Sequence, residues 1–270
     1  TLYNTYSFFS GYANVDAFDT EADQVPVAER PEIDRWVLSV LNTLIKGVQK
    51  EMENYDPTRA GRLIEDFVNN DLSNWYVRLN RKRFWGKEMS QDKLAAYQTL
   101  YTCLTTVAKL LAPFAPFFAD QLFCDLGAAQ LEGTTSVHLA KFPVVDEQLI
   151  DRELEERMGM AQKITSMVHA LRKKVNIAVR QPLQAIMIPA VDDEQRRHIE
   201  AVKNLILSEV NVKELRFVEG SGVLVKKVKC NFRTMGKKFG KLIKGIAAAM
   251  SALDQEQIAE LETNGKIAVE

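Results

Sequence analysis

The sequence predicts a mainly α protein, an antiparallel helical bundle followed by a smaller α+β domain. Three observations carry that expectation. Apolar residues recur at steps of three and four from Ile33 to Val48 and from Ile64 to Leu79, the spacing of a helix with one buried face. Helix-start signals and proline breaks cut the first half into segments with short connections, an arrangement that packs neighbouring helices antiparallel. From about residue 183 onward the pattern turns to short β-favouring runs, "LQAIMIPA" and "VKELRFVE", separated by a helical stretch.

The elements follow in order. Residues 1–27 read as a connecting segment, 28–145 as the bundle and 146–270 as the α+β domain. "ERPEIDRW" puts a proline at a helix start, and Ile33, Trp36, Val37, Val40, Leu41, Leu44 and Val48 give that helix its apolar stripe to about Asn54. Asp56 is the expected N-cap of the next helix, with Pro57 at its first position. Its stripe is Ile64, Val68, Leu72, Trp75 and Leu79, which makes Trp75 a core residue. Ser90 should cap a third helix, Gln91 to Leu111, and "APFAPF" breaks it before a short fourth one through Leu122. After "SVHLAKFPVVDEQLID" a long amphipathic helix places Leu154, Met158, Ala161, Thr165, Val168, Leu171 and Val175 on one face. Strands at "LQAIMIPA", "VKELRFVE" and "VLVKKVKCNF" are expected, with helices at about Asp192–Ser208 and Gly236–Met250.

Composition excludes several classes. At 270 residues, 46% hydrophobic and 26% charged, the chain is long enough for two cores and is not of the disordered type. The most membrane-like run, "LLAPFAPFFADQLF", is interrupted by two prolines and an aspartate and falls short of the roughly 20 apolar residues that span a bilayer. The opening "TLYNTYSFFSGYANVD" lacks the pattern of a signal peptide, and the chain reads as a piece of a longer cytoplasmic protein. Cys103, Cys124 and Cys230 form no C-x-x-C pair; they read as small buried hydrophobes, with no disulfide framework and no zinc site. His138, His169 and His198 are isolated, which suits no metal or catalytic grouping.

The net charge of −1 conceals an uneven distribution. Between Gly220 and Leu253 stand Lys226, Lys227, Lys229, Arg233, Lys237, Lys238, Lys241 and Lys244 without a single acid. A polyanion would find one region of this chain attractive.

Three stretches are candidates for that contact. In "NWYVRLNRKRFWG", residues 74–86, the side opposite the apolar stripe carries Val77, Arg78, Arg81, Phe84 and Trp85. There Arg78, Arg81 and Arg83 offer planar guanidiniums for phosphate, and Phe84 or Trp85 offers a ring for an unpaired base. The competing reading has the two aromatics closing the bundle end and the arginines paired with Glu65, Asp66 or other acids. The second stretch is acid-free from Arg157 to Val191 and includes Arg172, Lys173, Lys174 and Arg180. A helix C-terminus itself favours cations, which explains Arg172 to Lys174 equally well. Arg180 lies beyond that helix and is the better candidate for a specific contact. In the third, "NFRTMGKKFGKLIKGIAAAM", Lys237, Lys241 and Lys244 share one helical face opposite Phe239, Leu242, Ile243, Ile246 and Met250, and Arg233 precedes them.

The blocks "RPEIDRWVLSVLNTLI", "YDPTRAGRLIEDFVNNDLSNWYVRLNRKRFWG" and "LLAPFAPFFADQLF" resemble the anticodon-binding domain of class I aminoacyl-tRNA synthetases of the isoleucyl, valyl and leucyl group. "LRKKVNIAVRQPLQAIMIPA", "SEVNVKEL" and "NFRTMGKKFGKLIKGI" resemble the C-terminal region of the isoleucyl members, in particular bacterial enzymes of eukaryote-like type. The resemblance implies recognition of the tRNA(Ile) anticodon, with Arg78, Arg81, Arg83, Trp85, Arg172, Lys174, Arg180, Arg233, Lys237, Lys241 and Lys244 as the tRNA-binding set. Asn176, Gln181 and Asn231 join Arg180 and Arg233 as candidates for reading bases. It also implies catalytic and editing domains preceding this piece in the same chain, a monomeric cytoplasmic parent, and ATP with Mg used by that parent. The His-x-Gly-His and Lys-Met-Ser-Lys-Ser elements that such enzymes use for ATP are absent from these residues, so no catalytic residue and no cofactor is expected here. The Cys-rich zinc element of many bacterial isoleucyl enzymes is absent as well. Two alternatives stand beside this reading: the equivalent piece of a valyl enzyme, disfavoured because no heptad run appears at the end of the chain, and a helical interaction scaffold with no RNA role.

Overall fold

A computed structural model describes residues 1–189, 192–218, 228–231, 240–254, 257–258, 260–261 and 265–266. The chain divides into two compact units, 1–168 and 169–270. Among the described residues no helix is long and apolar enough to cross a membrane.

The first unit is a helical bundle. It contains α1 (Leu2–Val15), α2 (Glu32–Glu53), α3 (Pro57–Asp66), α4 (Arg78–Phe84), α5 (Gln91–Leu111), α6 (Pro116–Asp125), α7 (Ala128–Leu131) and the first part of α8 (Arg152–Lys174). The local start signals act where the sequence places them. Asp56 accepts the Arg59 N–H at 3.0 Å and Ser90 accepts the Lys93 N–H at 3.2 Å, each satisfying a donor that the first helical turn leaves unpaired. Helices α2 and α5 pack together, and Trp36, Val37 and Leu41 of the first, Leu100, Leu104 and Val107 of the second and Trp75, at 4% exposure, are all buried. The start of α8 is tied to α2 by Glu155, whose Oε1 accepts from Ser39 Oγ at 2.6 Å and Thr43 Oγ1 at 2.7 Å.

Two features depart from the sequence expectation. Between α3 and α4 the helix does not stop but continues as a π-helical run, Phe67–Val77. Its i→i+5 bonding turns the chain through a smaller angle per residue than an α-helix, so a wheel drawn at α-helical spacing places the later residues wrongly. The second is α1, a helix inside the expected connecting segment, whose Phe9 is buried beside Tyr97, with ring centroids 6.0 Å apart. Together they widen the buried side of the π run and α4 beyond the stripe that an α-helical wheel gives. Val77 and Phe84, expected on the outer side, are therefore core residues at 4% and 1% exposure. Phe84 meets Phe8 and Tyr97 edge-on, with centroids at 5.2 and 4.9 Å.

The second unit holds the end of α8, β1 (Leu183–Pro189), α9 (Asp193–Ala201), α10 (Lys203–Val210), β2 (Val212–Val218) and α11 (Ile243–Ala252). The strands pair in parallel, Leu183 opposite Val212 and Pro189 opposite Val218. Parallel neighbours need a crossover, which α9 and α10 supply. The single helix expected over Asp192–Ser208 is divided at Val202. Leu171 and Val175, expected on the buried face of α8, are largely exposed, and Arg172 is buried at 3%; the stripe Met158, Ala161, Thr165, Val168 continues at helical spacing to Arg172. Most of the third expected strand lies outside the described residues, and Val228 to Asn231 carry no strand. Of the expected helix at Gly236–Met250, residues 236–239 also lie outside them.

Candidate nucleic-acid interface

The first stretch is sorted by α4. Arg78, Arg81, Lys82 and Trp85 stand at i, i+3, i+4 and i+7, one face of a helix, and all four are exposed, Trp85 at 57%. Arg78 Nε donates to the Asn74 carbonyl at 2.8 Å, and its guanidinium lies 5.8 Å from the Trp75 ring centre. Arg81 is in no ion pair with a described residue. Lys82, which is not among the residues expected from the sequence, joins this face at four-residue spacing from Arg78.

Arg83 points the other way. Nη1 reaches Asp34 Oδ1 at 2.6 Å and Nη2 reaches Oδ2 at 2.9 Å, a two-pronged pair with a carboxylate that is 0% exposed. Asp92 adds a contact at 2.9 Å, and Tyr76 donates its hydroxyl to Asp34 Oδ1 at 2.8 Å. Burial by itself would lower the Arg83 pKa; the hydrogen bonds to Asp34, the charges of Tyr76 and Asp34 and the hydrogen bond to Asp92 together outweigh it, and the value is raised. Tyr76, fully enclosed, has its pKa pushed well up by burial first and by Asp34 next. Arg83 therefore locks α2, the π run, α4 and α5 together, and its charge is spent inside the bundle. The acids that hold it are Asp34 and Asp92, not Glu65 or Asp66.

In the second stretch Lys173, Lys174 and Arg180 are exposed. Arg172 is not: its guanidinium donates to the carbonyls of Ala178 (3.1 Å), Gln181 (3.0 Å), Val210 (2.8 Å) and Asn211 (3.1 Å). Neither the helix dipole nor an external phosphate accounts for it. Asn176 takes the left-handed conformation at φ 56° where the chain leaves α8, a conformation asparagine tolerates better than most residues.

Of the third stretch, Lys241 stands in a tight turn, Gly240–Leu242, and Lys244 in α11. Arg233 and Lys237 lie outside the described residues, and Asn231 is exposed. Among the described residues no three His, Cys, Asp or Glu side chains are grouped so as to hold a metal ion.

The chain thus offers an exposed guanidinium, ammonium and indole row on α4 and an exposed cationic loop beyond α8. Guanidiniums and ammoniums take phosphates, and an exposed ring takes an unpaired base. Comparison with known proteins bears on that chemistry. The family described as the anticodon-binding domain of tRNA ligase matches residues 34–187. The isoleucine–tRNA ligase of Bacteroides thetaiotaomicron is 66% identical across 100% of this chain and 23% of its own length. That of Porphyromonas gingivalis is 58% identical across 100% of this chain and 24% of its own, and that of Clostridium novyi 40% identical across 98% and 25%. The chain spans about a quarter of the length of the curated relatives it matches.

Proposed function

We propose that this chain, which belongs to the family of anticodon-binding domains of tRNA ligases, is the anticodon-binding and C-terminal region of an isoleucine–tRNA ligase and holds the anticodon arm of tRNA(Ile). The observation that carries the reading is the exposed row Arg78, Arg81, Lys82 and Trp85 on α4. Three cations and one ring on a single helical face match a single-stranded RNA loop, whose phosphates set the register and whose unstacked bases accept a ring. The second unit offers a cationic group of its own in Lys173, Lys174 and Arg180, and Arg233, Lys237, Lys241 and Lys244 are assigned to the tRNA-binding set from the sequence pattern. Arg83 and Arg172 leave the proposed set, because Arg83 pairs with Asp34 and both Nη groups of Arg172 donate to backbone carbonyls inside the protein.

In this reading the parent enzyme is a cytoplasmic monomer whose catalytic and editing domains, with ATP and Mg, form the rest of its length. The present residues position the tRNA so that its acceptor end reaches that catalytic site, and on their own they support no isoleucine-dependent ATP–pyrophosphate exchange. The test is binding of the 270-residue chain to tRNA(Ile), an anticodon-swapped variant and an unrelated tRNA at one fixed salt concentration. Preference for tRNA(Ile) that falls on anticodon exchange, and uniform weakening by Arg81→Ala, are expected. Equal affinity for all three RNAs would defeat the assignment to the isoleucyl enzyme.

A further inference from the structure

The loop after α8 is held in an unusual way. Four successive carbonyls, those of Ala178, Val179, Arg180 and Gln181, are all taken by two side chains. Arg172 takes the first and last, at 3.1 and 3.0 Å. Asn211 Nδ2 takes the middle two, at 2.9 and 3.1 Å. Arg172 also fastens this loop to the α10–β2 junction through the Val210 and Asn211 carbonyls, and the Asn211 carbonyl accepts the N–H of Leu183 at the start of β1. Asn211 itself ends α10 in the left-handed conformation at φ 52°. Glycine would suit that backbone equally well but would bring no donor.

Three consequences follow from this arrangement. A trans peptide carries its N–H opposite its C=O, and no peptide in the described structure is cis. Holding the Ala178 and Val179 carbonyls on the clasp therefore turns the N–H groups of Val179 and Arg180 away from it. Secondly, all of Arg172's acceptors in these bonds are neutral carbonyls, so its charge is not cancelled as that of Arg83 is, and it adds to the positive potential of Lys173, Lys174 and Arg180. Thirdly, a loop fixed before binding does not lose that freedom on binding. A loop needed only as a connector between α8 and β1 requires none of this.

We infer that Arg172 and Asn211 are positioning residues for RNA: their carbonyl clasp fixes the loop Asn176–Gln181 so that Arg180 and the N–H groups of Val179 and Arg180 meet a phosphate of a single-stranded RNA loop. This rests on the tRNA-binding reading given above. Arg180 touches the RNA, and the two clasp residues act through it.

The experiment is a double-mutant cycle on the 270-residue chain, using a synthetic anticodon stem-loop of tRNA(Ile) as the probe and thermal unfolding as a parallel measurement. Arg180→Ala should weaken binding about tenfold, the scale of a lost charge-assisted hydrogen bond. Asn211→Gly, which keeps the helix end and removes two loop bonds, should weaken it by a similar factor. The combined variant should lose about tenfold and not about a hundredfold, because both changes abolish the same contact. Arg172→Lys, which keeps the charge and loses the planar fork, should repeat the pattern and covers the case in which Asn211→Gly fails to fold. Independent, multiplying losses, or full affinity in the clasp variants, would make the clasp a purely structural fastening and overturn the inference. Wild-type chain that binds no RNA would overturn the functional reading itself, a result distinct from the first two.

Discussion

Arg83 in the first unit and Arg172 in the second are both drawn out of solvent, with side-chain exposure of 14% and residue exposure of 3% respectively, yet they are held in opposite ways. Arg83 closes on the carboxylates of Asp34 and Asp92, so charge meets charge. Arg172 closes on backbone carbonyls of two chain segments through its two Nη groups, while its Nε has no partner among the described residues and its charge remains. Lys93, at 2% exposure, lies between the two cases: its Nζ is 2.6 Å from Asp16 and 2.6 Å from the Gly86 carbonyl. The comparison teaches that a cationic stretch says little about affinity for a polyanion until each cation's partner is known. Of the three arginines in "RLNRKR", the one nearest Trp85 in sequence is the one withheld from solvent.

The largest effect should come from breaking the carboxylate case. Arg83→Met leaves Asp34 buried with Tyr76 as its remaining hydrogen-bond donor among the described side chains, and should cost about 3 to 5 kcal/mol of stability in chemical unfolding. Adding Asp34→Asn removes the stranded charge and should recover part of that loss; a double variant no better than the single would mean that lost packing, not charge, sets the cost.

Arg172→Met should cost less, about 1 to 3 kcal/mol, because the carbonyls of Ala178 and Gln181 are at exposed residues and can turn to water while that of Val210 cannot. Amide exchange should accelerate over residues 176–182 and 211–215 and not in the bundle. Uniform acceleration would show that the two units unfold as one.

Acid tests the intermediate case. Burial acts to raise the Asp16 pKa, but the hydrogen bonds from Lys93 and Tyr97 and the Lys93 charge together outweigh it, and the folded value lies below the usual carboxylate range. The sign follows: the stabilisation is complete above the unfolded carboxylate range, near pH 4, and is lost as pH falls through the lower folded value. The melting temperature of the wild type should fall more steeply between about pH 4 and pH 2 than that of Asp16→Asn. Parallel curves would remove Asp16 from the account. The carbonyl clasp of Arg172 contains no such titrating acceptor.

The smallest effect belongs to the solvent-facing member of the same helix. Arg81→Ala should leave stability within about 0.5 kcal/mol of wild type while weakening tRNA binding. A large loss of stability would mean that the inner and outer faces of α4 are exchanged.

What the sequence alone determined is local. Asp56, Pro57 and Ser90 announce helix starts because capping uses neighbouring atoms, and α5 begins and ends where Ser90 and the prolines require. The apolar periodicity placed Trp75 in the core, since a stripe of large hydrophobes has to be buried against something. Tertiary structure decided the rest, through partners remote in sequence. Phe84 is inside because α1 brings Phe8 against it; Leu2, Tyr6, Phe9 and Ala13 stand at helical spacing in that segment, but the spacing does not say what the helix packs against. Arg83 is inside because Asp34, 49 positions away, is buried beside it. Arg172 is inside because the Val210 carbonyl, 38 positions away, accepts from it, although its place on the α8 stripe was visible in the heptad-like spacing. Arg233 and Lys237 lie outside the described residues and rest on the sequence pattern alone. Charge and spacing are properties of the chain, but whether a cation is spent internally or offered to RNA depends on which acceptor the fold brings within about 3 Å, the reach of a hydrogen bond.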